Sequence, residues 1–141
     1  MSTVLHIVST CLYALVGIIS LVMALESLSA RGFLNFHTAA AGEPWTALGD
    51  GLQAVIVSLL RLSGMGFLIV GLQLVVVSIA VNLHPGLVVA VVLPCLALLF
   101  CVGLGVINYR LHVRTGAQTP WKGSLYAAVA VAVALALWLV S

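Results

Sequence analysis

Charged and imidazole side chains are the residues of this sequence that could do chemistry, and Arg61 is the most informative of them. A charge close to a hydrocarbon layer is costly, so an arginine at the edge of an apolar run is a candidate gate or anion-binding group. Glu26 ends an earlier apolar run, and a direct Glu26–Arg61 ion pair is predicted. The alternative is an arginine that snorkels to the membrane surface and anchors its helix.

The four histidines could act as acid–base groups or as ligands of haem or metal. His6 and His84 are expected near one membrane face, and His37 and His112 near the other. Imidazole suits haem iron, copper and zinc. However, none of the four lies well inside an apolar run, and no His-x-x-x-His or Glu-x-x-His pattern occurs. We therefore predict interfacial histidines with no cofactor and no metal, and keep His37 and His112 as candidate ligand-binding groups.

Gln73 is a deep polar residue of its apolar run and completes the candidate ligand-binding set. We expect it to donate a hydrogen bond to a neighbouring helix, an interaction worth about 1 kcal/mol in membranes. Alternatively, Gln73 could belong to a polar wall that lines a substrate pathway. Nucleophile elbows, phosphate-binding glycine loops and zinc-protease helices are missing from the sequence. No catalytic residue is therefore predicted, and we lean against an enzyme.

Composition indicates that lipid is the solvent of these side chains. The chain has 141 residues, of which 64% are hydrophobic and 6% charged, whereas a soluble domain has about 25% charged residues. About 20 apolar residues cross a hydrocarbon core, and four runs qualify, at about 4–25, 62–81, 87–107 and 123–140. The sequence predicts an all-α four-helix membrane bundle forming one transmembrane domain over 1–141. Its second helix is extended from residue 51 at the cytoplasmic end.

Basic residues set the predicted orientation. Arg31 lies in the first loop, and Arg110, Arg114 and Lys122 lie in the third, while the opposite side carries no lysine or arginine. The positive-inside rule then places loops one and three in the cytoplasm and both termini outside. The net charge of +2 is too small to indicate a nucleic-acid partner.

Small residues indicate close packing of helices. Two clusters fall at the same predicted level, early in the second helix and late in the third. Close packing between these two helices, or with a partner chain, is expected, and a floor for a cofactor or lipid tail is the alternative. The clusters are Gly64, Gly66 and Gly71, and Gly103 and Gly105; Ala128, Ala132 and Ala136 add a predicted docking seam on the fourth helix. Pro94 is expected to kink the third helix.

The first and third loops end alike. Each has a histidine, then a threonine, then small residues, and then Pro44-Trp45 or Pro120-Trp121 before a helix. Tryptophan is typical of the headgroup level, and Thr119 is expected to cap the fourth helix. Either two helical hairpins arose by duplication, or the two loops are alike because each leads into a helix at the membrane interface.

The run Leu60-Arg61-Leu62-Ser63-Gly64-Met65-Gly66-Phe67-Leu68-Ile69-Val70-Gly71 resembles the second helix of the DoxX-like group of small bacterial membrane proteins and its uncharacterised relatives. In that group an arginine followed by spaced glycines enters a span. The resemblance implies a four-helix bundle in the bacterial cytoplasmic membrane. It implies little about activity, because the group is functionally mixed.

Three functions remain open. The first is an accessory subunit that docks on a larger membrane complex, with the bilayer and other membrane subunits, or further copies of the chain, as partners. The second is a small oligomeric transporter or a protein that binds lipid or another hydrophobic ligand, using Arg61, Glu26 and Gln73. The third is an enzyme acting on a lipophilic substrate through His37, His112 and Arg61.

Overall fold

The described part of the chain folds into five α-helices, four of which are long. A computed structural model describes residues 2–83 and 86–141; His84 lies outside these residues. Four helical segments are long and apolar enough to span a membrane, which confirms the all-α four-helix prediction and makes the chain an integral membrane protein. The helices are α1 (Ser2–Ser29), α2 (Asn35–Ala41), α3 (Asp50–Ala80), α4 (Leu93–Thr115) and α5 (Trp121–Leu139).

The helices end at other residues than the predicted spans. Hydropathy indicates which residues are apolar enough for the membrane, and a helix can continue beyond them. The 31 residues of α3 form one helix from Asp50, about 46 Å long at 1.5 Å per residue, as the predicted extension requires. The predicted third span ends at residue 107, but α4 continues to Thr115 and stops at Gly116, whose φ of 69° places it in the left-handed region. Arg110 and Arg114 therefore lie on a helix and not in a loop.

The four long helices are antiparallel to their sequence neighbours and contact one another unequally. Helix α1 packs most extensively on α3, and α5 packs on both α4 and α1, whereas the contact between α3 and α4 is much smaller. The second and third long helices do touch, as predicted, but the main partner of α3 is α1. The helices thus succeed one another around the bundle in the order α3, α1, α5, α4.

The contact between α1 and α3 brings two backbones together at a pair of glycines. A Cβ atom added to Gly17 would lie 3.2 Å from the carbonyl oxygen of Gly71, and one added to Gly71 would lie 3.0 Å from the carbonyl oxygen of Gly17. Both distances are tighter than most Cβ contacts, so a side chain at either position would need the facing backbone to move by a few tenths of an ångström. Glycine therefore favours this close crossing on both sides.

The predicted glycine clusters do not form one seam between α3 and α4. Gly64 faces Leu28 and Gly71 faces Leu21, both on α1. Only Gly66 packs against α4, where its added Cβ would lie 2.8 Å from the ring of Phe100. The reason is helical periodicity, since residues seven apart share a face and Gly66 lies on another. Gly105 approaches Ser124 of α5, and Gly103 has open space around it.

Replacing Gly71 with alanine is expected to lower the free energy of unfolding in detergent by about 1–3 kcal/mol, the usual cost of overpacking a close contact. Gly103→Ala is the matched control, because nothing lies within 4 Å of the added methyl group and alanine favours the helix. Denaturant titration of both variants provides the measurement. Equal stability of the two variants would contradict the Gly17–Gly71 contact.

Candidate functional site

Charged side chains collect at one end of the bundle, which we name the basic end. It comprises the loop 30–49, the loop 116–120 and the adjoining helix ends. All of the basic and acidic residues of the chain fall in this part of the sequence: Glu26, Arg31, Glu43, Asp50, Arg61, Arg110, Arg114 and Lys122. The beginning of α1 and the end of the chain meet at the opposite end, where Ser141 Oγ lies 3.1 Å from His6 Nε2.

Glu26 and Arg61 share the basic end but point in different directions. Leu28 faces Gly64, so this side of α1 is turned towards α3. Glu26 precedes Leu28 by two residues, a rotation of about 200° around the helix, and therefore lies on the side of α1 turned away from α3. Both side chains are exposed. The structure does not bring the predicted ion pair together, and Arg61 occupies the exposed position expected of an interfacial anchor.

His37 belongs to a folded cluster in the first loop. Its Nδ1 accepts a hydrogen bond from the backbone N–H of Leu34 at 3.3 Å, and its ring centroid lies 6.2 Å from that of Phe33. Phe33 in turn meets Trp45 edge-on at 5.0 Å. Burial lowers the pKa of His37. This histidine therefore caps α2 in its neutral form.

Gln53 fastens this loop to the start of α3. Its Nε2 donates to the carbonyl oxygens of Trp45 and Leu48 at 3.0 and 2.9 Å. The N-terminal extension of α3 thus has a partner, namely the backbone of the first loop.

His112 closes the third loop. Its Nδ1 lies 2.6 Å from the carbonyl oxygen of Ala117, and its ring stands beside Trp121 with centroids 6.5 Å apart. Because a carbonyl oxygen only accepts, Nδ1 carries the proton in this contact. Both candidate histidines therefore bind their own loops. Within residues 2–83 and 86–141 no group of three or more His, Cys, Asp or Glu residues is placed to hold a metal ion.

Gln73 lies between α3 and the start of α4, and its predicted interhelical hydrogen bond is confirmed. Its Nε2 donates to the carbonyl oxygen of Leu93, the residue before Pro94. A π-helical stretch, Val88–Val92, immediately precedes this point. Pro94 is fully buried, and its missing N–H accounts for an irregular helix here. The amide of Gln73 is thus engaged by the backbone of α4.

Tyr13 is a buried polar residue that the sequence reasoning missed. Its side chain is 0% exposed, and among the described residues its hydroxyl has no hydrogen-bond partner. A sequence signal did exist, because His6, Tyr13, Ser20 and Ser27 recur every seven residues on one face of α1. Ser20 and Ser27 are also buried. This polar stripe faces the centre of the bundle.

A second missed feature lies on the last turns of α4. Tyr109, Arg110, Val113 and Arg114 line a surface depression of about 230 Å³ at the basic end. Sequence reasoning had assigned this segment to a loop, so the shared helical face of the two arginines was not apparent.

Lowering the pH from 8 to 5 is expected to weaken the first loop through His37. The folded loop holds the pKa of His37 below its ordinary value, so the unfolded chain binds a proton first. Stability is present above the unfolded pKa of about 6.5 and is lost as the pH falls through it towards the lower folded pKa. His37→Asn, which keeps an acceptor near the position of Nδ1, should flatten the measured dependence of unfolding free energy on pH. An unchanged slope in this variant would rule out the assigned role.

Tyr13→Phe is expected to leave the unfolding free energy unchanged or to raise it by up to about 1 kcal/mol, because it removes a buried hydroxyl without a partner. Tyr126→Phe is the control, since Tyr126 is exposed on α5. Denaturant titration in detergent measures both. A loss of more than about 1 kcal/mol in Tyr13→Phe alone would show that the hydroxyl has a partner in the membrane protein as it exists.

Comparison with protein-family models, with curated proteins and with solved structures finds no match to this chain. The resemblance of residues 60–71 to the DoxX-like group therefore stays a prediction. Function has to be argued from the residues of the bundle themselves.

Proposed function

We propose that this chain is an accessory subunit that docks on a larger membrane complex through one face of α5. The observation that carries the proposal is the exposure of Ala132 and Ala136, which are one helical turn apart on this face. Ala128, the third residue of the predicted seam, is buried inside the bundle. In lipid, helix association depends on close backbone approach, which small residues permit. The occupant we assign is a transmembrane helix of another membrane protein.

The surroundings of the two alanines support a docking face. Val129 and Val133 flank them and are also exposed. Alanine and valine together form a shallow surface whose side chains lose little rotamer freedom on contact. The opposite side of α5 is already occupied, since Val131 and Ala134 are fully buried against the other helices.

Apart from the Tyr13 hydroxyl and His6 Nδ1, polar groups inside the described bundle are largely engaged by the chain's own backbone, which favours a structural role over transport. Ser9 Oγ donates to the carbonyl oxygen of Ala134 at 2.8 Å, and Ser20 Oγ donates to that of Val16 at 2.9 Å. The Gln73 amide is bound to Leu93. A polar substrate pathway would need such groups free to exchange partners.

An enzymatic role is the least favoured of the three. It requires His37, His112 and Arg61 to converge, but each histidine is bound within its own loop. We also propose, from the positive-inside rule, that the basic end faces the cytoplasm of a bacterial inner membrane.

Site-specific photo-crosslinking in native membranes tests the docking face. A photoreactive amino acid at Val129, which is 54% exposed on α5, is expected to give an adduct with a second membrane protein. The same group at Val22, which is 50% exposed on α1, is the control and should give none. Ala132→Leu should abolish the Val129 adduct, because the longer side chain holds the partner helix away. Ala54→Leu, at an exposed alanine of α3, should leave it intact.

Two outcomes would contradict the proposal. Adducts of equal yield at Val129 and Val22 would mean that α5 has no preferred neighbour. An adduct whose mass equals two copies of the chain would mean that this face joins identical subunits.

A further inference from the structure

The surface depression on α4 is lined by four residues of one helix. Its lining residues, Tyr109, Arg110, Val113 and Arg114, follow one another at intervals that keep them on one side of the helix. Arg110 and Arg114 are exposed, as are Tyr109 and Val113. Two guanidinium groups and an apolar wall thus border a space of about 230 Å³.

No acidic residue of the second half of the chain can neutralise these arginines. Residues 51–141 contain no aspartate or glutamate, and α4 and α5 carry Arg110, Arg114 and Lys122 at the basic end. The three carboxylates of the chain all belong to α1, the first loop and the start of α3. Helix α2, which contacts α4, has no charged residue.

The spacing of the two arginines is unfavourable unless an anion is present. Arg110 and Arg114 are four residues apart on one helix, where like charges repel and destabilise the helix. Their position near the helix C-terminus offsets part of this cost. An external anion between the two guanidinium groups would turn the repulsion into a shared attraction.

Aromatic residues fix the depth of the depression in the membrane. Tyr109 meets the Trp121 ring edge-on with centroids 5.3 Å apart. Lys122 Nζ lies 5.8 Å from the centroid of the same ring. Tryptophan and tyrosine collect at the level of lipid headgroups. These aromatic residues therefore indicate that the depression opens at the level of lipid phosphates.

We infer that this depression binds the phosphate of an anionic phospholipid. Guanidinium groups bind phosphate oxygens in a bidentate fork, and basic sites beside membrane helices bind anionic headgroups. Val113 and the Tyr109 ring then contact the glycerol and upper acyl region. A zwitterionic lipid fits less well, because its ammonium group would meet Arg110 and Arg114 without a carboxylate on α4 or α5 to receive it.

The competing explanation is that the arginines only anchor the protein at the surface, as the positive-inside rule requires. Anchoring needs positive charge at the membrane surface but no defined site, so any arginine at the basic end could supply it. Binding of a lipid at the depression requires Arg110 and Arg114 themselves. Arg31, exposed in the first loop just after α1, is therefore a charge-matched comparison for Arg110 and Arg114.

Native mass spectrometry of the purified full chain in detergent tests the site. The chain is titrated with phosphatidylglycerol and with phosphatidylcholine of the same acyl chains. We expect tighter binding of phosphatidylglycerol, and a loss of about threefold to tenfold in its affinity in Arg110→Gln and in Arg114→Gln, as for loss of one hydrogen bond at an exposed site. Arg31→Gln should bind like the unchanged chain. Arg114→Lys, which keeps the charge but loses the fork, should fall between the two.

Three results would overturn the inference. Equal binding of the two lipids would exclude an anion-selective site. Equal loss in Arg31→Gln would show a diffuse charge effect. If millimolar inorganic phosphate displaced bound phosphatidylglycerol as effectively as added phosphatidylglycerol does, the depression would be a site for a soluble anion. Circular dichroism of each variant confirms that the helices are intact, and Arg114→Lys keeps the comparison valid if a glutamine variant fails to fold.

Discussion

The backbone contact between Gly17 and Gly71 is the constraint on which the rest of the bundle depends. Lipid offers no hydrophobic gain for bringing two apolar helices together, so the association must come from close van der Waals approach. Here each glycine lies against the carbonyl oxygen of the other. Helices α1 and α3 are thereby joined as a pair, and α5 is attached to α1 by the hydrogen bond from Ser9 to Ala134. Helix α4 is held mainly by α5.

The contact between α3 and α4 is small, and a few specific side chains hold these two helices together. The Gln73 amide bridges to the backbone of α4 beside Pro94, and the Phe100 ring fills the space above Gly66 and meets Phe67 edge-on at 5.4 Å. These two contacts close the ring of four helices. At the basic end, Gln53 ties the first loop to α3. The outer faces of α4 and α5 stay exposed. Both proposals concern these faces.

Much of the fold was predictable from the sequence, because hydropathy determines how many helices cross the membrane. The overlong α3 followed from an uninterrupted apolar run, and the bond from Gln73 followed from the cost of an unpaired amide in lipid. The partners of Gly64 and Gly71 did not follow, since a glycine face fits any neighbouring helix. Thr119 does not cap α5 through its side chain as predicted: its hydroxyl donates to the carbonyl oxygen of Asn108 at 2.7 Å, and Pro120 takes the capping position. The local sequence shows that a threonine can cap a helix, but it does not show that a carbonyl oxygen of another helix competes for its hydroxyl.

The site was predictable only in its location. Charge counting identified the basic end, but it paired Glu26 with Arg61 because it ignored the helical rotation that separates their faces. The same counting hid the Arg110–Arg114 pair in a supposed loop. The central claim, that the chain docks on a larger membrane complex, is tested most directly by a mass measurement. Native membranes are dissolved in mild detergent, and the mass of the particle that contains the chain is determined. A docking subunit predicts a mass that exceeds any whole multiple of the chain by that of a distinct partner, whereas a whole multiple with lipid alone would contradict it.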